Sequence, residues 1–91
     1  MTLNSTVKSA EGVIHTELEG EVVLMHVADG KYYALNAVGS AVWLMISSQV
    51  TVFTICEAIQ QEFDVEPDVC RQDVIALLEQ LRGAGLLYID E

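Results

Sequence analysis

Positive charge is scarce in this sequence. Four Lys and Arg residues stand against 14 Asp and Glu residues, which gives a net charge of −10 at pH 7. Such a chain repels the phosphates of nucleic acids and the surface of anionic membranes. We therefore expect neither nucleic acid nor a membrane as a partner, whereas a neutral or basic peptide remains compatible with the charge.

Long apolar runs are also absent. None approaches the roughly 20 residues of a membrane span, and the N-terminal residues from Met1 to Lys8 do not form the charged-then-apolar pattern of a signal peptide. We therefore expect a cytoplasmic protein. Its cysteines, Cys56 and Cys70, have no CxxC spacing. Because cytosolic thiols are kept reduced, we expect two buried free thiols, with a disulfide or a redox pair as the alternative.

The residue patterns of common catalytic sites are missing as well. His15 and His26 have no metal-ligand spacing with the cysteines. The sequence contains neither GxGxxG nor GxxxxGK, the loops that cradle phosphates. A Ser-His-Asp arrangement is not visible, although sequence position by itself does not exclude one. We expect a protein that is not an enzyme and that uses no metal or cofactor.

The residues that are present predict one globular domain over 1–91, with residues 1–10 loosely ordered or partly paired. The chain is 52% hydrophobic, which suits a folded core. Alternation and Val-rich composition predict strands over Gly12 to Leu18, Glu21 to Ala28 and Lys31 to Leu35. Asp29-Gly30 is a strong hairpin signal. The short connections predict a three-stranded antiparallel meander.

Three helices are predicted after the meander. Asn36 and Thr51 are favoured N-caps for the first two, and Pro67 suits the first turn of the third. Apolar residues at helical spacing define the core-facing side of each helix. On the third they are Cys70, Val74, Leu77, Leu78 and Leu81, and Gly83 or Gly85 ends this helix. Leu86 to Ile89 is then a short terminal extension. The fold class is α+β.

Two segments resemble the PqqD-like family, also called the RiPP recognition elements. The first is Tyr32-Tyr33-Ala34-Leu35-Asn36-Ala37-Val38-Gly39-Ser40-Ala41-Val42-Trp43. The second comprises Phe63-Asp64-Val65, Pro67, Asp73-Val74, Leu78, Leu81 and Gly85-Leu86-Leu87. The likeness covers about residues 12–88. It implies a winged-helix-like domain, a three-stranded antiparallel sheet followed by a three-helix bundle. Glu66 departs from the pattern, because many relatives have Asp before this proline and Glu is the poorer N-cap.

The resemblance also implies a site for the leader segment of a ribosomally made precursor peptide. The leader adds as a strand beside the third strand, and its side chains lie between that strand and the third helix. The residues expected to bind it are Lys31, Tyr32, Tyr33, Ala34, Leu35, Val69, Asp73, Ala76 and Leu77. Structural roles remain the alternative. Both tyrosines, Leu35 and Trp43 would then lie in the core, and Asp73 would be a solvated or locally paired charge.

The function that follows from the resemblance is a non-catalytic adaptor. It holds the leader for a processing enzyme, which we expect to be a lasso-peptide leader peptidase. The nearest alternative is a PqqD-like peptide chaperone for a radical enzyme. A winged-helix DNA-binding protein and a small enzyme are more remote alternatives. An open edge strand also allows a homodimer through sheet pairing.

Overall fold

The computed structural model describes residues 1–90 and contains six strands and three helices over that range. The strands are β1 (Thr6–Ser9), β2 (Val13–Leu18), β3 (Glu21–His26), β4 (Lys31–Ala34), β5 (Val50–Thr51) and β6 (Leu87–Asp90). The helices are α1 (Ala37–Met45), α2 (Val52–Phe63) and α3 (Pro67–Gly83). The predicted α+β class and the order of a three-stranded meander followed by three helices are confirmed.

The meander is an antiparallel sheet in the order β2-β3-β4. Tight turns set its register, and Glu19, Gly20 and Gly30 have the positive φ angles that such turns require. At the second turn, the Lys31 N–H donates to Asp29 Oδ1 at 3.0 Å. This hydrogen bond, aided by one from His26, holds the pKa of Asp29 below its usual range. The turn therefore fixes where β4 begins.

The N-terminal residues form a second sheet, so of the two expectations for residues 1–10, loosely ordered or partly paired, the structure shows a paired strand over Thr6–Ser9. β1 lies between β5 and β6, and Val7 is opposite both Val50 and Ile89. Val7 is fully buried. A strand of four residues carries little periodicity of its own, and its partners lie more than 40 residues away in the chain. The expected terminal extension is the partner strand β6.

The helix boundaries follow the predicted caps. Asn36 Oδ1 accepts from the Gly39 N–H at 2.8 Å, and Thr51 Oγ1 accepts from the Thr54 N–H at 3.1 Å. Glu66 makes no side-chain cap, as its poorer capping ability suggested. α3 ends at Gly83, and Gly85 follows with a φ of 77°.

The core lies where α1 packs on β3, α2 packs on α3, and α3 packs on β6. α3 buries Cys70, Val74, Leu78 and Leu81, as predicted, whereas Leu77 of the predicted stripe is half-buried. On α1, helical spacing predicted a core-facing side of Val38, Ala41, Val42 and Met45, which was only partly correct. Val38, Ala41 and Met45 are half-buried, whereas Gly39, Ser40, Val42 and Trp43 are buried. The helix is apolar nearly all round, so its sequence does not define a single face.

The two cysteines are free and buried, and Cys70 Sγ lies 3.6 Å from the Cys56 carbonyl oxygen. Burial raises the pKa of the Cys56 thiol from 9.0 to about 11. Within residues 1–90, no group of His, Cys, Asp and Glu side chains is placed to hold a metal ion. Over the same residues, no helix is both long and apolar enough to cross a membrane.

Candidate functional site

β4 is an edge strand of the meander sheet, and its backbone directions follow from one hydrogen bond. The Leu35 N–H donates to the Val22 carbonyl at 2.9 Å, so these two residues form a hydrogen-bonded pair. Hydrogen-bonded and non-hydrogen-bonded pairs alternate along an antiparallel ladder. Tyr33 therefore pairs inward with Leu24, whereas Tyr32 and Ala34 occupy the non-hydrogen-bonded positions. The N–H and C=O groups of Tyr32 and Ala34 point away from β3 to the open edge.

The Ser40 side chain forms hydrogen bonds at the junction between β4 and α1. Its hydroxyl accepts from the Val22 N–H at 2.8 Å and donates to the Leu35 carbonyl at 3.3 Å. The side chain is buried and replaces the second bond of the Val22–Leu35 pair. The ladder thus opens at Leu35 without leaving either backbone group unpaired, and the chain turns into the helix directly after the edge strand.

An open groove begins where β4 ends. It lies between the first turn of α1 and the middle of α3 and has a volume of about 320 Å³. Its lining residues are Asn36, Val38, Gly39, Asp73, Ala76, Leu77 and Gln80. A Cβ atom at Gly39 would lie 3.3 Å from both Asn36 Oδ1 and Leu35 Cβ. The glycine therefore keeps this side of the groove open and leaves room for the Asn36 cap.

Asp73 is the only charged residue among those that line the groove. Its side chain is exposed, and it forms neither a salt bridge nor a hydrogen bond within residues 1–90. The nearby cations on α3 have other partners, since Arg71 pairs with Asp68 and Arg82 with Glu79. The local salt bridge considered for Asp73 is therefore not formed in this part of the chain, and the carboxylate is available to a ligand.

The structure brings some of the predicted binding residues together and separates others. Asp73, Ala76 and Leu77 line the groove, while Val69 is exposed on α3 but outside the groove lining. Tyr33 on β4 packs against the core, and Leu35, the first residue after β4, is buried in it. Tyr32 is 70% exposed on the opposite face of the sheet. Lys31 and Ala34 are exposed at the two ends of the strand.

Four lining residues were not among the predicted binding residues: Asn36, Val38, Gly39 and Gln80. Sequence reasoning gave Asn36 a cap role and Val38 a core role. Gly39 carried the one available signal, since a glycine inside a helix weakens it and usually has a packing or functional reason.

A free strand edge beside a groove is the geometry of domains that bind an extended peptide by β-strand addition. Residues 21–87 match the family described as coenzyme PQQ synthesis protein D (PqqD). The chain belongs to this family, as its two motif segments suggested. No curated protein sequence matches it.

Solved structures agree with this assignment. The chain is 31% identical to TbiB1, whose structure was determined in complex with the TbiA(beta) leader peptide. That likeness covers 88% of this chain and 93% of TbiB1, with a TM-score of 0.82.

Two further structures share the fold at lower identity. A lasso peptide synthetase B1 complexed with the leader peptide is 16% identical to this chain. The likeness covers 90% of this chain and 96% of the synthetase B1 chain, with a TM-score of 0.74. The PqqD part of Methylobacterium extorquens PqqCD, a stand-alone RiPP recognition element, is 21% identical. This likeness covers 91% of the present chain and 88% of the PqqD chain, with a TM-score of 0.75.

Proposed function

We propose that this protein is a non-catalytic adaptor that binds the leader segment of a ribosomally made precursor peptide and presents it to a processing enzyme. The observation that carries the proposal is the outward direction of the backbone groups of Tyr32 and Ala34, directly beside the groove of α1 and α3. The 31% identity to a protein solved with a leader peptide supports the same ligand class. We expect the enzyme to be a lasso-peptide leader peptidase and the complex to work in the cytoplasm.

The leader lies beside β4 as a fourth strand of the meander sheet. Tyr32 and Ala34 offer it two N–H and two C=O groups. At about 0.5–1.5 kcal/mol net for each hydrogen bond, the four contribute about 2–6 kcal/mol. Main-chain bonding of this kind is independent of sequence, so selectivity comes from side-chain pockets. The groove supplies an apolar wall from Ala76 and Leu77 and a charge from Asp73.

The adaptor raises the local concentration of the peptide at the enzyme and performs no chemistry itself. Incubation of the pure domain with its precursor peptide should leave the peptide mass unchanged by mass spectrometry. A cleaved or modified product would contradict the adaptor role.

Titration of the leader into Asp73→Ala tests the groove. A hydrogen bond to a charged group contributes about 1.5–3 kcal/mol, so we expect the affinity measured by calorimetry to fall more than tenfold. Glu62→Ala is a matched control, because Glu62 is an exposed carboxylate on α2 outside the groove lining. Unchanged affinity in Asp73→Ala, with the fold intact by circular dichroism, would place the leader elsewhere.

The family match favours one other candidate, a peptide chaperone for a radical enzyme in cofactor biosynthesis. Titration with a lasso-peptide leader and with a precursor peptide of coenzyme PQQ synthesis decides between the two, because the protein should bind the leader of its own pathway far more tightly.

Light scattering at several concentrations tests whether the open edge of β4 also allows a homodimer, which the leader should dissociate.

A further inference from the structure

The outer face of the meander sheet is apolar and uncovered. This outer face consists of the side chains that point away from the core, of which only Glu21, at the start of β3, is charged: Ile14, Thr16 and Leu18 on β2, Glu21, Val23 and Met25 on β3, and Tyr32 and Ala34 on β4. Ile14, Leu18 and Tyr32 are 54%, 59% and 70% exposed. A shallow depression of about 190 Å³ lies at its centre.

An antiparallel sheet with one solvated face normally carries polar residues there. On β2 the outer face carries the apolar Ile14 and Leu18, while the polar His15 and Glu17 lie on the other side of the strand and are exposed as well. Contiguous exposed apolar surface marks a site of interaction with another macromolecule. The flexible thioether of Met25 adapts to irregular partner surfaces.

The charge around the outer face selects the kind of partner. Between Ser9 and Gly30 the chain carries Glu11, Glu17, Glu19, Glu21 and Asp29 but neither Lys nor Arg. Such a field repels anionic membranes and also a second copy of this chain, whose net charge is likewise −10. It attracts a protein surface that has an apolar centre and a basic rim.

We propose that the outer face is the docking surface for the processing enzyme, through an apolar patch rimmed by Lys and Arg on that enzyme. This inference rests on the proposed function and adds the location of the second partner. The groove opens near Leu35 and Asp73, on the core side of the sheet, whereas Tyr32 and Ile14 face the other way. The leader and the enzyme therefore occupy different faces, and one adaptor holds both at once.

The test uses a precursor peptide whose leader the adaptor binds and a leader peptidase that cleaves this precursor. Ile14→Thr with Leu18→Thr removes apolar surface from the outer face and places threonine, a β-branched residue that suits a strand, at both positions. We expect affinity for the leader to be unchanged and adaptor-dependent cleavage to slow by about tenfold or more, as the loss of interface anchors does. Direct binding of the leader-free adaptor to the enzyme should weaken equally, and rising salt should weaken wild-type binding.

His15→Thr is the matched control, because His15 lies on the same strand, faces the other way and is not one of the acidic residues around the outer face. Normal cleavage and enzyme binding in the Ile14/Leu18 variant would overturn the proposal. So would a wild-type dimer in sedimentation that this variant dissociates, or wild-type binding to phosphatidylserine vesicles that it abolishes. A leader that fails to bind the wild type would instead refute the proposed function, while direct enzyme binding still tests the outer face.

Discussion

Proline at position 34 tests the peptide edge most directly. The Ala34 N–H points to the open edge, so proline removes a donor that the folded domain does not use. Edge strands tolerate proline where the N–H faces solvent. A bound leader, in contrast, loses one hydrogen bond and keeps a carbonyl that is buried without a partner. That costs about 1–3 kcal/mol, which corresponds to roughly a 5- to 150-fold loss of affinity.

Tyr33→Pro is the matched comparison, one residue away. The Tyr33 N–H pairs inward with Leu24, so proline here breaks the ladder of the sheet itself. We expect a lower melting temperature in Tyr33→Pro and weaker leader binding in Ala34→Pro, measured by circular dichroism and calorimetry. Unchanged leader affinity in a folded Ala34→Pro would refute strand addition at β4. The reverse pattern between the two variants would show that the direction of the ladder is wrong.

Three further predictions concern stability and thiol chemistry. Leu78 is fully buried on α3, so Leu78→Ala should destabilise the domain by about 2–5 kcal/mol in denaturant unfolding; a change below about 0.5 kcal/mol, usual for surface sites, would contradict the packing of α3. Ser40→Ala leaves the Val22 N–H and the Leu35 carbonyl without their hydroxyl partner, so it should lower the free energy of unfolding by about 1–3 kcal/mol. Ser47→Ala, at an exposed position, is the control and should leave the stability nearly unchanged. Because the pKa of Cys56 is raised in the folded protein, the thiol of the unfolded chain releases its proton at a lower pH than the folded one. The stability should therefore decline as pH rises from 9.0 towards about 11, and Cys56→Ala should remove that part of the decline.

Local chemistry predicted the elements whose signals lie within a few residues. The caps at Asn36 and Thr51 were predicted from spacing and residue type, and the structure confirms them. The turn at Asp29-Gly30 is present but spans residues 27–30, because β3 ends at His26 and not at Ala28 as predicted. The apolar stripe of α3 is buried except for Leu77, which is half-buried. β1 was missed because a short strand is stabilised by partners far away in the chain. The buried face of α1 was only partly predicted, since an apolar helix takes its orientation from what surrounds it.

The candidate site also has features that the sequence predicts and features that depend on the tertiary structure. The sequence by itself determined the class of the domain and predicted a strand that begins at Lys31 and the candidate residues Asp73 and Ala76 on α3, because periodicity and the family motifs are local properties. Only the tertiary structure decided that Tyr32 and Ala34 direct their backbone groups outward, and that Asn36 and Gly39 line the groove opposite Asp73. It also decided that Ile14, Leu18 and Tyr32 share one uncovered face. These features depend on strand register and on the packing of elements distant in sequence, and a slip of one residue would reverse them.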